Sequence, residues 1–217
     1  EDGVCDHQHN HYLIGGKAAL YQHMTKPAAA VALIKDLNLE IPQHIADVQN
    51  DFINGSLGNI DAETRVPNIV SLIKSTKWDH VFVTRDTHDV DYLHTKEGEK
   101  LPVEHCIRDT FGWEIHPAVQ EALNECECVR YINKDTFGYE SWDIAFGEFD
   151  FEICDDLNVV MCGFCTDICV ISNALAVKML FPYHAEVSII EECCAGVTPE
   201  SHNAALIVMK NCQINII

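Results

Sequence analysis

Leu157-Asn-Val-Val-Met-Cys-Gly-Phe-Cys-Thr-Asp-Ile-Cys-Val-Ile-Ser-Asn-Ala-Leu-Ala-Val-Lys-Met-Leu180 is the run whose reading decides the fold. Its first six residues, Leu157 to Cys162, are nearly all apolar, the pattern of a parallel strand covered on both faces. From Thr166 to Leu180 the apolar residues recur at helical spacing, and Thr166 or Asp167 is a suitable N-cap. A strand that turns directly into a helix places Cys169 in the first helical turn. Unpaired backbone N–H groups and the helix dipole favour negative charge there, so this cysteine has a physical reason to become a thiolate. A lone cysteine in such a place also reads as a small buried residue. Partners elsewhere in the chain decide between the two readings.

Working outward, apolar strands are expected near 44–48, 79–84, 128–132, 157–162, 186–190 and 213–217. Helices are expected near 62–75, 116–125, 141–147, 166–180 and 199–210. The alternation implies an α/β fold, a mainly parallel sheet with helices on both faces. In such sheets ligands bind outside the carboxyl ends of the strands. Two charged residues fall at those ends. Asp47, in Ala46-Asp-Val-Gln-Asn-Asp-Phe52, follows a short apolar stretch, and Lys134, in Tyr131-Ile-Asn-Lys-Asp-Thr-Phe137, follows another. Singly, each reads as a solvated strand cap. With Cys169 they form a set in which the carboxylate takes the thiol proton, the ammonium supports both, and the sulfur attacks a carbonyl.

The Asp47-Val-Gln-Asn-Asp-Phe52 block, Lys134 and Gly163-Phe-Cys-Thr-Asp-Ile-Cys169 resemble the nicotinamidase and isochorismatase-like cysteine hydrolases in order and spacing. The resemblance runs from about Ile45 to Ile217. It implies a three-layer fold with a six-stranded sheet and a catalytic triad of Asp47, Lys134 and Cys169. It also implies a cis peptide at Phe164–Cys165 and an oxyanion site near the backbone of Cys165 and Cys169. The isochorismatase branch lacks the cysteine, so Cys169 points to the amidase branch.

A second constellation suggests a metal. Val81-Phe-Val-Thr-Arg-Asp-Thr-His88 is a strand with a polar tip, and Asp86 and His88, two apart, share one side of an extended backbone. Glu97, His94 and His105 follow. Carboxylate and imidazole together suit zinc, iron or manganese; a hydrophilic loop with incidental histidines is the alternative. The resemblance implies one divalent ion, zinc first, held by Asp86, His88 and His105 with a third ligand between. His94 and Glu97 each match one branch of the family, and the phrase around Glu97 fits slightly better. In the family this metal positions a pyridine nitrogen and ordered water. Phe52 and Phe137 are candidate walls for a planar ring and equally candidate core residues. Some nicotinamidases carry a tryptophan three residues before the last metal histidine; this chain has Pro102, which leaves other small amides open.

The 217 residues carry 14 basic and 34 acidic side chains, a formal charge of −20. Such a balance disfavours nucleic acid and anionic membranes as partners. No run approaches the roughly 20 apolar residues of a membrane span, and the opening residues show no secretory leader. Several of the eleven cysteines fall inside expected elements, as in a reduced, cytoplasmic protein. Residues 1–40 read as an N-terminal extension without an assigned role, with a helix-like stretch at 28–39 and a His-rich start (His7, His9, His11). Residues 41–217 read as the hydrolase domain. Pro42 is poorly suited to the middle of a central strand but can begin one. The expected activity is hydrolysis of nicotinamide to nicotinate and ammonia by a homo-oligomer with a small-molecule amide substrate. The alternatives are another small amide or N-carbamoyl compound as substrate, or a binding protein on the same fold without catalysis.

Overall fold

Six strands make one sheet in the computed structural model, which describes residues 42–75, 78–147, 157–181 and 185–217. They are β1 (Pro42–Ala46), β2 (His80–Asp86), β3 (Val129–Lys134), β4 (Leu157–Phe164), β5 (Ala185–Ala195) and β6 (Asn215–Ile216). The order is β3-β2-β1-β4-β5-β6, and each neighbouring pair is parallel. Each expected strand is present, β1 two residues earlier than its pattern indicated. Pro42 is the first residue of β1, where its missing N–H costs least.

The helices are α1 (Asn50–Ile53), α2 (Ile60–Lys74), α3 (Pro117–Leu123), α4 (Trp142–Gly147), α5 (Ile171–Leu180) and α6 (Pro199–Asn211). A 3₁₀ turn covers Tyr92–His94, and a π-helical turn, Thr166–Val170, leads into α5. The chain runs outward from β1 to β2 and β3 in one direction, then from β4 to β5 and β6 in the other. Right-handed crossovers therefore carry helices to opposite faces. The core is apolar on both faces: Ile45, Phe82, Val83, Val159, Val160 and Met161 have no more than traces of exposure. Each such side chain contributes about 1.5–3 kcal/mol. Within the described residues, no helix is long and apolar enough to cross a membrane.

The reversal between β1 and β4 leaves a crevice at their carboxyl ends, the place where open α/β sheets bind ligands. Gly163 makes the approach of the two strands possible. Its φ is +123°, and a Cβ there would collide with the Ala46 carbonyl oxygen.

One local expectation is corrected. The cap of the helical run is Cys165, in extended conformation, and neither Thr166 nor Asp167 caps it. Both are committed elsewhere: Thr166 Oγ1 lies 2.8 Å from His202 Nδ1, and Asp167 Oδ1 accepts the Val197 N–H at 3.0 Å. These bonds tie the turn to the start of α6. The 1–40 extension, with its helix-like stretch and histidines, lies outside the described residues.

Candidate active site

Asp47 leaves the end of β1 with φ +48°, its side chain fully buried. Lys134 is the last residue of β3, and Cys169 the fourth of the π-helical turn. Three elements thus deliver three reactive side chains to one end of the sheet. Lys134 Nζ joins them: it lies 2.7 Å from Asp47 Oδ2, 3.7 Å from Cys169 Sγ and 3.7 Å from Asp86 Oδ1. The Phe164–Cys165 peptide is cis, as the resemblance implied.

Burial dominates the electrostatics of this group. It raises the Asp47 carboxyl above its ordinary value, with Lys134 pulling down and the Asp86 charge pushing up. Burial and then the Asp47 charge push the Cys169 thiol well above its ordinary value, outweighing Lys134. Burial would lower Lys134, but Asp47, Cys169 and Asp86 overcome it and hold the ammonium charged. Burial and the Asp47 charge thus oppose the helix terminus and favour the protonated thiol, whose proton needs an acceptor when the sulfur reacts.

Asp86 closes β2, and His88 and His105 come beside it. Their ligand atoms all lie within 4.8 Å of one another, a set able to hold a divalent metal ion. His88 Nε2 is 3.1 Å and His105 Nε2 3.4 Å from Asp86 Oδ2. The other nitrogen of His105, Nδ1, sits 2.8 Å from the Val103 carbonyl. That bond fixes the ring with Nε2 turned toward the cluster, the orientation of a metal-ligating imidazole. Burial would raise Asp86, but His105, His88 and Lys134 hold its carboxyl below the ordinary range. Of the two alternatives for a further ligand, Glu97 is the one brought to the cluster, 3.9 Å from both His88 and His105. His94 is exposed on the 3₁₀ turn, outside it.

A cavity of about 800 Å³ lies over both groups. Cys169, Cys165, Asp86, Glu97 and His105 line it, and so do Phe52 and Phe137. Phe52 is 8% exposed, with its ring 5.8 Å from His105, and serves core and cavity together; Phe137 is half exposed and faces the cavity alone.

Two supporting residues carried no signal in the sequence. Gln49 grips the backbone of Asp86 at both ends: Oε1 accepts the Asp86 N–H at 2.7 Å, and Nε2 donates to the Asp86 carbonyl at 2.8 Å. Asp51 accepts the Cys106 N–H at 2.7 Å, next to His105. Both belong to the block quoted for Asp47, but partners 37 and 55 residues away leave no trace in spacing.

The isochorismatase domain model matches residues 45–217. A nicotinamidase of Schizosaccharomyces pombe is 28% identical over a 204-residue alignment that covers 80% of this chain and 90% of that protein. The crystal structure of a nicotinamidase/pyrazinamidase from Bacillus subtilis superposes with a TM-score of 0.70 at 25% identity, covering 82% of this chain and 99% of its own. A pyrazinamidase of Pyrococcus horikoshii, solved in complex with zinc, shares the fold with a TM-score of 0.65 at 23% identity, covering 82% and 98%.

Proposed function

The chain belongs to the isochorismatase-domain family, and on that premise we propose that it is an amide hydrolase converting nicotinamide to nicotinate and ammonia through a thioester on Cys169. One observation carries the reading: Lys134 Nζ touches both Asp47 and Cys169 at the floor of a cavity that also holds Asp86 and His105. The S. pombe relative named a nicotinamidase supports the choice of substrate.

The residues divide the chemistry as follows. Cys169 attacks the carboxamide carbon while its proton passes to Asp47, whose raised pKa makes it a stronger base than an ordinary aspartate. Backbone N–H groups of Cys165 and Cys169 receive the developing oxyanion. Asp47 then returns the proton to nitrogen as the C–N bond breaks and ammonia leaves. Water attacks the thioester, giving its proton to Asp47, and the departing sulfur takes that proton back. Lys134 stays charged throughout and keeps Asp47 and the sulfur in register. Phe52 and Phe137 flank the ring.

Asp86, His88 and His105 fit a divalent ion, zinc first and iron or manganese as alternatives, because both imidazoles turn Nε2 toward the Asp86 carboxylate and the three ligand atoms lie within 4.8 Å of one another. When bound, the ion would supply a Lewis-acidic position for a pyridine nitrogen. Glu97 would be the further protein ligand.

Ammonia release from nicotinamide, pyrazinamide, benzamide and N-carbamoyl compounds tests the reading. Cys169→Ala abolishes turnover, and Asp47→Asn and Lys134→Ala each lower it by about 100-fold or more. Benzamide, without the ring nitrogen, is much the poorest of the three ring amides. Near wild-type activity in Cys169→Ala sinks the mechanism. A preference of about tenfold or more in kcat/KM for carbamoyl compounds moves the assignment to that other amide class.

A further inference from the structure

One buried amide ties the nucleophile to the wall of its cavity. Asn173 lies four residues after Cys169, within α5, and has no solvent exposure. Asparagine is a weak helix former, and a buried amide is costly unless its hydrogen bonds are made. Here all four are made. Nδ2 donates to the Cys169 carbonyl at 2.8 Å and, at longer range, to the Phe137 carbonyl at 3.5 Å. Oδ1 accepts the Tyr139 N–H at 2.8 Å and the Trp142 indole N–H at 3.0 Å. Two carbonyls on one side and two N–H groups on the other fix which way the amide faces. Its partners are the backbone of the nucleophile and the 137–142 loop that carries the half-exposed cavity wall Phe137. That loop lies directly on α5: a Cβ at Gly138 would meet Ser172 Cβ at 3.2 Å.

We propose that Asn173 is a positioning residue that sets the nucleophile and the aromatic wall relative to each other. Its amino group acts on Cys169 and its carbonyl on the Phe137 loop. It touches neither thiol nor substrate. The catalytic part of this role rests on the amidase reading above.

The two halves of the amide can be separated. In Asn173→Thr the hydroxyl can bond back to the carbonyl four residues earlier, that of Cys169, and the bonds to Tyr139 and Trp142 are lost. In Asn173→Leu both halves are lost. Two readouts are taken on folded variants with melting temperatures recorded: kcat and KM for nicotinamide, and the rate of Cys169 alkylation by iodoacetamide, followed by mass spectrometry. For Asn173→Thr, KM rises about fivefold while kcat and alkylation stay within about twofold of wild type. For Asn173→Leu, kcat falls about tenfold or more and alkylation changes by about fivefold, because the sulfur itself is displaced. Trp142→Phe removes one Oδ1 donor without altering α5 and reproduces the KM rise with alkylation unchanged. Should Asn173→Leu not fold, Asn173→Thr and Trp142→Phe still test the arm to the Phe137 loop by their KM and kcat changes. The proposal is overturned by unchanged alkylation in Asn173→Leu, or by kcat losses in Asn173→Thr and Trp142→Phe that match their KM changes. Should the wild-type protein leave nicotinamide intact, the substrate reading falls, while the alkylation ratios still decide the coupling of Asn173 to Cys169.

Discussion

Buried between a lysine and a thiol, the Asp47 carboxyl is subject to opposed influences, and burial wins. Its sign sets the pH dependence. A base must be ionised to accept a proton, so activity is lost as pH falls through the raised pKa of Asp47. The acid limb of kcat/KM therefore lies above the ordinary aspartate value of about 3.9, and a limb at or below that value would remove Asp47 as the base. Cys169 imposes no alkaline limb of its own near neutrality, since its thiol is pushed well above the ordinary range. Beneath the site, burial and then the Lys134 charge lower His44 to about 3. Folding thus holds this imidazole neutral while the unfolded chain protonates it. Its contribution to stability is present above the unfolded pKa of about 6.5 and is lost as pH falls from there toward about 3. Urea unfolding between these limits shows a shallower acid loss in His44→Gln than in wild type; parallel curves would contradict the burial argument. The reactive residues were legible because each sits where an apolar run ends. Gln49 and Asn173 were not, because a polar residue's burial depends on partners brought by folding.

β1 and β4 are the elements on which the site depends, and Gly163 is where they nearly touch. Their existence was readable from short apolar runs, as were the five longer helices. The four-residue α1 and the 3₁₀ turn were too short for periodicity to reveal. The π-helical turn was read as ordinary helix, since the widening comes from local hydrogen bonding: both the Ile168 and Val170 N–H groups reach the Cys165 carbonyl at 3.1 Å. At the end of β2, Gln49 acts as a clamp on the strand tip that presents Asp86. Gln49→Met keeps the bulk and leaves the Asp86 N–H and carbonyl without these partners, at about 1–3 kcal/mol for each buried group left unpaired. The tip loosens, and affinity for a divalent ion falls by about 10- to 100-fold, as for other groups that orient metal ligands. Chelator competition measures this. An unchanged affinity in a folded Gln49→Met protein would show that the clamp serves stability alone.

At the scale of the whole molecule, topology and charge act together. The reversal of strand order between β1 and β4 gathers Asp47, Asp86, Lys134 and Cys169 at one edge of the sheet, although they are spread over more than a hundred positions of sequence. Alternation of elements made the sheet legible; which strands adjoin, and hence where the crevice opens, came from the fold. The whole chain carries a formal charge of −20. A field of that sign disfavours an anionic product and leaves a neutral amide unaffected, and salt screens it: the Debye length is about 30 Å at 0.01 M and about 8 Å at 0.15 M. Raising ionic strength therefore lets nicotinate bind more tightly. Its inhibition constant against nicotinamide falls by about threefold between ~0.01 M and ~0.5 M salt, while the KM for neutral nicotinamide moves by less than about twofold. Initial-rate inhibition at a series of salt concentrations measures both. An inhibition constant that rises with salt would mean that the local cations of the site, Lys134 and any bound metal, govern product binding and that the surface charge does not reach it.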